Sequence, residues 1–324
     1  MRFCELMLLA SLALVAAVSL PPQPASAGDG VGVEPAFQPL PTHDLENAYK
    51  LTDKVLAGAQ PEGDKSFAAL RDLGVKTIIS VDGAKPDVVT AHKYGLRYVH
   101  LPIGYDDVSP EEGRAIAKAI DEVEGPVYVH CHHGKHRSAA AVATACVMNG
   151  RLKPEQAESV LKTFGTGANY KGLWASALAA RPLPKEELDA VHVQYREAVP
   201  IPPLAEAMVQ IDQTMDRIKL AENAGWSRPP SHPDVDPPHE ALQLMEKLRE
   251  LGRTPEVQGH PAAFRKLLSE GEAGAEALHE SLAAWSKAGR VGAAPAAVAA
   301  SMKTVTSSCT ACHKSFRDET ATQK

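Results

Sequence analysis

Between His43 and Ala180 short β-branched runs alternate with amphipathic stretches, whereas beyond Ala180 the β-branched runs vanish and long helical patterns take over. That switch predicts an α/β layer fold, a central sheet flanked by helices, followed by an all-α four-helix bundle. Residues 76–81 (KTIISV), 96–100 (LRYVH) and 127–129 (VYV) read as strands. Ser66 to Leu73 reads as a short helix stopped by Gly74. Ser109-Pro110-Glu111-Glu112 reads as a capping box opening a helix through Val123, with Ile116, Ile120 and Val123 on one face. Pro182, Pro184, Pro200, Pro202 and Pro203 mark the join, and the boundary is expected near residue 200.

In the second half Leu204, Met208, Ile211, Met215 and Ile218 recur at spacings of four and three, the stripe of a buried helix. Ser227 to Pro238 carries five prolines and is expected to be a loop. Helices are then expected from about His239 to Leu251, Ala262 to Lys287 and Pro295 to Arg317.

The 324 residues suffice for two domains, and 44% hydrophobic with 23% charged residues is the balance of a soluble globular protein. Five cysteines are too few for a disulfide scaffold. A net charge of -6 leaves no broad basic footprint for nucleic acid, so no nucleic-acid partner is expected and any anion site must be local.

Arg2 precedes a charge-free, largely apolar run from Leu6 to Leu20, then come Pro21, Pro22 and the small-residue pattern Ala25-Ser26-Ala27. This is the pattern of a secretory signal, too short to cross a bilayer as a helix. The expected organisation is a signal peptide at 1–27, a linker at 28–42, an α/β domain at 43–180, a linker at 181–199 and a helical domain at 200–324. The mature chain is expected in a periplasm-like, oxidising space with no stable membrane span.

The sharpest motif is HCHHGKHRS, which sets Cys131 and Arg137 five residues apart, directly after a strand and before a helix running to Asn149. Five intervening residues let backbone N–H groups converge on one anion, the following helix adds its positive end, and Gly134 permits the curl. Arg137 stands where a planar fork can hold two phosphoryl oxygens, and the same field favours a thiolate at Cys131. The stretch 43–180 resembles the cysteine-dependent phosphatases, in particular the dual-specificity group. By that resemblance Cys131 attacks phosphorus to form a phosphocysteine, and Ser138 helps the thiolate leave. A loop aspartate protonates the leaving oxygen, and Asp107 in IGYDDVSP is preferred over Asp106. Either aspartate could instead only shape the loop.

His132, His133, Lys135 and His136, with Gly134, complete the phosphate-binding loop. Their side chains either add positive charge for substrates with several phosphates or point away from the pocket. His130 is expected to order the loop. Zinc held by these histidines and Cys131 is disfavoured, because seven consecutive residues cannot easily surround a tetrahedral ion. A rhodanese-like domain shares the cysteine-to-arginine spacing and is the better rival. No cofactor is expected for the phosphatase chemistry.

The second motif is Cys309-Thr310-Ala311-Cys312-His313, the C-x-x-C-H pattern of c-type haem attachment. On a helix the three side chains project from neighbouring positions, so two thioethers and one axial imidazole can serve a single haem. Only eleven residues follow His313, so the pocket must be built upstream. Residues 200–324 resemble the class II cytochromes, cytochrome c prime and its low-spin relatives, including the aromatic and basic residues Phe316 and Arg317 after the motif. The resemblance implies one covalent haem c with His313 on the iron. The sixth position is either open or filled by Met208 or Met215, both of which equally suit the buried stripe; His239, His260 and His279 are lesser candidates.

Taken together, the motifs predict an exported phosphatase acting on a phosphorylated protein, a phosphoinositide or a small phosphoester. Its attached haem would serve electron transfer or redox or gas sensing, with a redox partner and a homodimer through the bundle as further expectations. The alternative is a haem protein whose phosphatase-like domain only binds phosphate. Cys146, in an apolar helix, is expected to pack.

Overall fold

In the computed structural model residues 37–318 are described; the expected signal segment and Cys4 lie outside them. Six strands form one sheet in the order β1-β2-β3-β6-β4-β5. They are β1 Gln38–Pro39, β2 Tyr49–Lys50, β3 Val55–Ala59, β4 Thr77–Ser80, β5 Arg97–His100 and β6 Val127–Cys131. β1, β2 and β3 pair antiparallel. β3, β6, β4 and β5 run parallel, with Ala59 opposite Cys131 and Ser80 opposite His130. The C-terminal ends of three parallel strands therefore share one edge, the side on which open α/β sheets carry their sites.

Alternation along the strands fills two cores. Ile78, Tyr98 and Tyr128 pack on one face with Phe67 and Leu70 of α1 (Gly63–Asp72) and with Ala91 of α2 (Val88–Lys93). Their neighbours Ile79, Val99 and Val129 face the opposite core. That core takes α3 (Pro110–Glu122), α4 (Arg137–Met148), α5 (Ala157–Phe164) and α6 (Lys171–Ala179). Ile116 and Ile120 are fully buried, and each contributes about 1.5–3 kcal/mol of apolar transfer. α4 is buried from Arg137 to Val147, and its five alanines let it lie close to the sheet between other helices.

The strands expected at 76–81 and 96–100 are present as β4, shorter by one residue at each end, and β5, shorter by one residue at its start. The one expected at 127–129 extends to Cys131, which puts His130 and Cys131 on the sheet itself. The capping box is formed: Ser109 Oγ accepts from Glu112 N at 3.3 Å while Glu112 Oε2 accepts from Ser109 N at 2.8 Å. β3 (VLAGA) carries only two large apolar residues and was not foreseen.

The ordered α/β part reaches beyond 43–180 on both sides. Phe37 is buried ahead of β1, and α7 (Lys185–Asp189) buries Leu188 against the same core. His100 N donates to Arg196 O at 2.9 Å. The His100 ring is held neutral between two backbone groups, Nε2–H donating to Asp82 O at 2.9 Å and Nδ1 accepting from Val199 N at 3.2 Å.

The remaining helices are α8 (Pro203–Asn223), α9 (Pro237–Arg253), the short α10 (Pro255–Gly259), α11 (Ala262–Lys287) and α12 (Ala296–His313), which continues as a π-turn over Lys314–Asp318. α9 lies between α8 and α11, and α11 packs in turn on α12. All four long helices contribute to one apolar cluster that includes Ile211, Met215, Ile218, Leu244, Leu278, Val305 and Cys312. α9 starts at Pro237, two residues before the expected His239, because proline is well suited to the first turn, where an N–H would be unpaired. α12 ends at His313, four residues before the expected Arg317. Among the described residues no helix is long and apolar enough to cross a membrane.

Candidate active site

Cys131 ends β6 and Arg137 opens α4, so the loop between them curls at the sheet's C-terminal edge. Gly134 makes the curl with φ of +68°, and a Cβ there would sit 2.3 Å from Ala59 N and 2.4 Å from Gly58 C, both backbone atoms. A side chain is thus excluded on two grounds. The loop carbonyls are tied by surrounding elements: His132 O accepts from Gln60 N at 3.0 Å, Gly134 O from Asn47 Nδ2 at 3.0 Å, and Lys135 O from Thr166 Oγ1 at 2.6 Å. In a trans peptide the N–H points opposite to its carbonyl, so these bonds turn the amides of His133, Lys135 and His136 away from the same partners. Those amides are thereby left without these partners, as an anion-binding nest requires.

Cys131 is buried, with Sγ 3.3 Å from Ser138 Oγ in the first turn of α4. Arg137 is buried too. Its Nη2 donates to Asp82 Oδ2 at 3.1 Å and to the Tyr105 hydroxyl at 2.9 Å, and its guanidinium lies 4.2 Å from the centre of the Tyr105 ring. Its Nε is itself buried and has no hydrogen-bond partner among the described residues. Asp82 is fully buried, which pushes its carboxyl up, yet Arg137 and His130 beside it hold it below the usual carboxylate range. Burial drives His130 down to about 4, a neutral ring packed edge-on to Tyr98 at 5.8 Å.

Tyr105 brings the aspartate loop to the site. Asp106 and Asp107 follow it directly, and the loop is pressed onto α6, where Val108 N donates to Ser176 Oγ at 3.0 Å. A Cβ on Gly172 would fall 1.5 Å from Asp106 O, so this close approach requires glycine. Desolvation first, then the neighbouring Asp106 carboxylate, raises the Asp107 carboxyl above its ordinary range, in the direction that suits a proton donor.

The loop side chains are otherwise engaged. His132 and His133 meet the carboxylates of Asp216 and Asp212 on α8. His136 Nδ1 accepts from Gly167 N at 3.2 Å, its ring lies 4.2 Å from that of Tyr170, and burial and nearby cations lower it to about 4. Lys135 is exposed. Of the two orientations open from sequence, these three histidines thus adopt the one committed to surrounding protein. Cys146 is buried with its thiol pushed up to about 12, an inert packing residue.

Cys309 and Cys312 lie one turn apart on α12, as free thiols, half-buried and buried. They share an apolar cluster with Met215 and Phe264, and with the half-buried Met208 and Phe316. Burial raises both thiols, with Asp212 of α8 reinforcing this at Cys309 and Cys309 itself at Cys312. His313 is half-buried beside them. His239 is exposed, His260 stacks on Phe264 at 4.2 Å, and His279 Nδ1 bonds to Pro238 O at 2.9 Å. Sequence reasoning did not find Asp82, Tyr105, Asp212 or Asp216. The first two have no fixed spacing from Cys131, and the α8 pair carries only an i, i+4 spacing common on solvated helices.

Part of the chain is related in sequence to a phosphatase. Dual specificity protein phosphatase TpbA of Pseudomonas aeruginosa is 31% identical over 99 residues, 30% of this chain and 44% of that protein. A beta-lactamase hydrolase-like protein of Xylella fastidiosa is 27% identical over 133 residues, 38% of this chain and 30% of that protein. The chain thus spans less than half the length of these relatives. The crystal structure of P. aeruginosa TpbA superposes with a TM-score of 0.40 at 24% identity, covering 48% of this chain and 94% of that one. PTPMT1 in complex with PI(5)P gives 0.31 at 18% identity, covering 41% and 99%. No family model matches.

Proposed function

We propose that this chain is an exported, periplasmic phosphatase that hydrolyses phosphate monoesters through a phosphocysteine on Cys131, joined to a covalent haem domain over residues 200–324. The observation that carries the phosphatase reading is the buried Arg137, fixed through Nη2 with its Nε unpaired, beside a thiol in contact with the Ser138 hydroxyl. A phosphoryl group would lie with its oxygens on the loop amides and the open edge of Arg137, and Cys131 Sγ would form the bond to phosphorus as the ester oxygen departs. Asp107, or Asp106 beside it, would give that oxygen a proton. Water would then displace the thiolate, which Ser138 Oγ stabilises as it leaves. The substrate classes to assay are a phosphorylated protein, a phosphoinositide and a small phosphoester.

The residues fit covalent haem: two free thiols one helical turn apart, an adjacent histidine, and an apolar wall supplied by Met208, Met215, Phe264 and Phe316. Cys309 and Cys312 would hold the porphyrin and His313 the iron, with Met208 or Met215 as candidates for a second iron ligand. The group would supply one-electron or gas-binding chemistry. Export rests on the signal pattern of residues 1–27 and accords with covalent haem in an oxidising space. The four long helices are read as the bundle of a class II cytochrome, through which two copies could pair.

The test is turnover of a chromogenic phosphate ester by wild type and by Cys131→Ser. Loss of turnover in the variant is expected. Equal, slow hydrolysis by both would leave a haem protein with a phosphate-binding module.

A further inference from the structure

His132 and His133 follow the candidate nucleophile, and Asp212 and Asp216 stand one turn apart on α8. His132 Nε2 lies 3.3 Å from Asp216 Oδ2 and 3.7 Å from Asp212 Oδ2. His133 Nε2 lies 3.5 Å from Asp212 Oδ2 and 3.8 Å from Asp216 Oδ2. The ligand atoms of His132, His133 and Asp212 are all within 4.8 Å of one another. A tetrahedral ion with N and O ligands at about 2.0–2.1 Å sets those ligands roughly 3.3 Å apart. The four histidine-to-aspartate separations are therefore close to what one ion imposes; His132, His133 and Asp212 form the tight group, and Asp216 stands outside it and would move inward to complete the set.

The donor chemistry agrees. Two imidazoles and two carboxylates, with no thiol, make a borderline set for a divalent first-row metal, zinc above all. Two carboxylates facing the same point repel one another unless a cation lies between them. The nearest lysine, Lys219, serves only the other oxygen, Asp216 Oδ1, at 3.0 Å. The His132 side chain is 8% exposed whereas those of His133, Asp212 and Asp216 are 38%, 43% and 34% exposed, so the cluster has a fixed floor and an open rim by which an ion can enter. The objection to a zinc site within HCHHGKHRS was that consecutive residues cannot surround an ion; α8 answers it by supplying half the ligands from another element.

We propose that His132, His133, Asp212 and Asp216 form a zinc-class metal site that clasps the phosphate-binding loop to α8. Such an ion would fix the peptide next to Cys131 and tie the loop to the helix that carries Met208 and Met215. The site does not depend on phosphatase turnover, so its test reads metal and not activity.

Full-length protein, stripped with a chelator and titrated with zinc alone, is expected to take up one equivalent and to rise in melting temperature. Zinc-edge X-ray absorption should give a shell of nitrogen and oxygen only. Asp212→Asn/Asp216→Asn should bind zinc more than about 100-fold more weakly, beyond the 10–100-fold cost of losing an outer partner. It should keep the stripped protein's circular dichroism. Cys309→Ser/Cys312→Ser should retain the equivalent. No zinc uptake would mean a purely ionic cluster. Sulfur in the shell, or undiminished affinity in the double Asn variant, would put zinc elsewhere. Each of these three results overturns the proposal.

Discussion

Arg137 and Asp107 are the residues whose surroundings bear most directly on the proposed phosphoryl transfer. Arg137 is anchored through one terminal nitrogen by Asp82 and Tyr105, with Nε buried and unpaired among the described residues, and in the proposed mechanism the rest of its guanidinium would hold the substrate's oxygens. Arg137→Lys keeps the charge but not the planar fork and should lower kcat/KM by about 10²–10³-fold, the usual cost of one preorganised donor. The Asp107 carboxyl is raised above its ordinary range, so in the proposed role of general acid it would be active below its raised pKa and kcat should fall as pH rises through it. Asp107→Asn should remove that alkaline fall and cost about 10²–10⁴-fold in rate. An unchanged profile, with the effect appearing in Asp106→Asn instead, would reassign the acid. That Cys131, Arg137 and Ser138 come together was legible in the sequence, because they are seven residues apart at most and straddle a strand end and a helix start. Asp82 was not, because it reaches Arg137 across the sheet edge from another strand's end.

At the scale of elements, the loop depends on β3 and α6 as much as on β6 and α4. Gly134 and Gly172 are both points where backbone meets backbone or nearly so. β3 was missed in the sequence for a related reason: a strand that must pass beneath the loop carries Ala57-Gly58-Ala59, which lacks the β-branched signature. The capped helix α3 and the strands β4 and β5 were legible because their signals are local. The start of α4 also carries a pH dependence. His130 and His136, both lowered by burial to about 4, stay neutral in the fold, whereas an unfolded imidazole titrates near 6.5. Between those values the unfolded chain binds more protons. The stability they provide is therefore present above about pH 6.5 and is lost as pH falls toward 4. His136→Gln should reduce the slope of unfolding free energy against pH in that window by up to about 1.4 kcal/mol per unit, measured by denaturant melts.

At the scale of the whole molecule, the two motifs are closer than their separation in sequence suggests. Arg317, four residues past His313, lies 4.5 Å from the centre of the Tyr105 ring, whose hydroxyl accepts from Arg137; its Nη2 also reaches the Tyr170 hydroxyl at 3.4 Å. The histidine–aspartate cluster joins the Cys131–Arg137 loop to α8, and Arg317 joins the end of α12 to Tyr105 and Tyr170 beside it, so two bridges link the first half to the helices of the second. Neither bridge was legible in the sequence, since pairing between distant segments leaves no periodic trace. The spectrum of the reduced, haem-loaded protein should show covalent c-type haem that is lost in Cys309→Ala/Cys312→Ala, and a five-coordinate signature there would exclude both Met208 and Met215 as ligands. The central claim is that Cys131 is a phosphoryl acceptor. Rapid acid quench of the protein mixed with a phosphate ester, followed by mass spectrometry, tests it most directly. One phosphoryl group is expected on the peptide containing Cys131, accumulating in Ser138→Ala and absent in Cys131→Ser. Turnover with no adduct on that peptide in Ser138→Ala would contradict it.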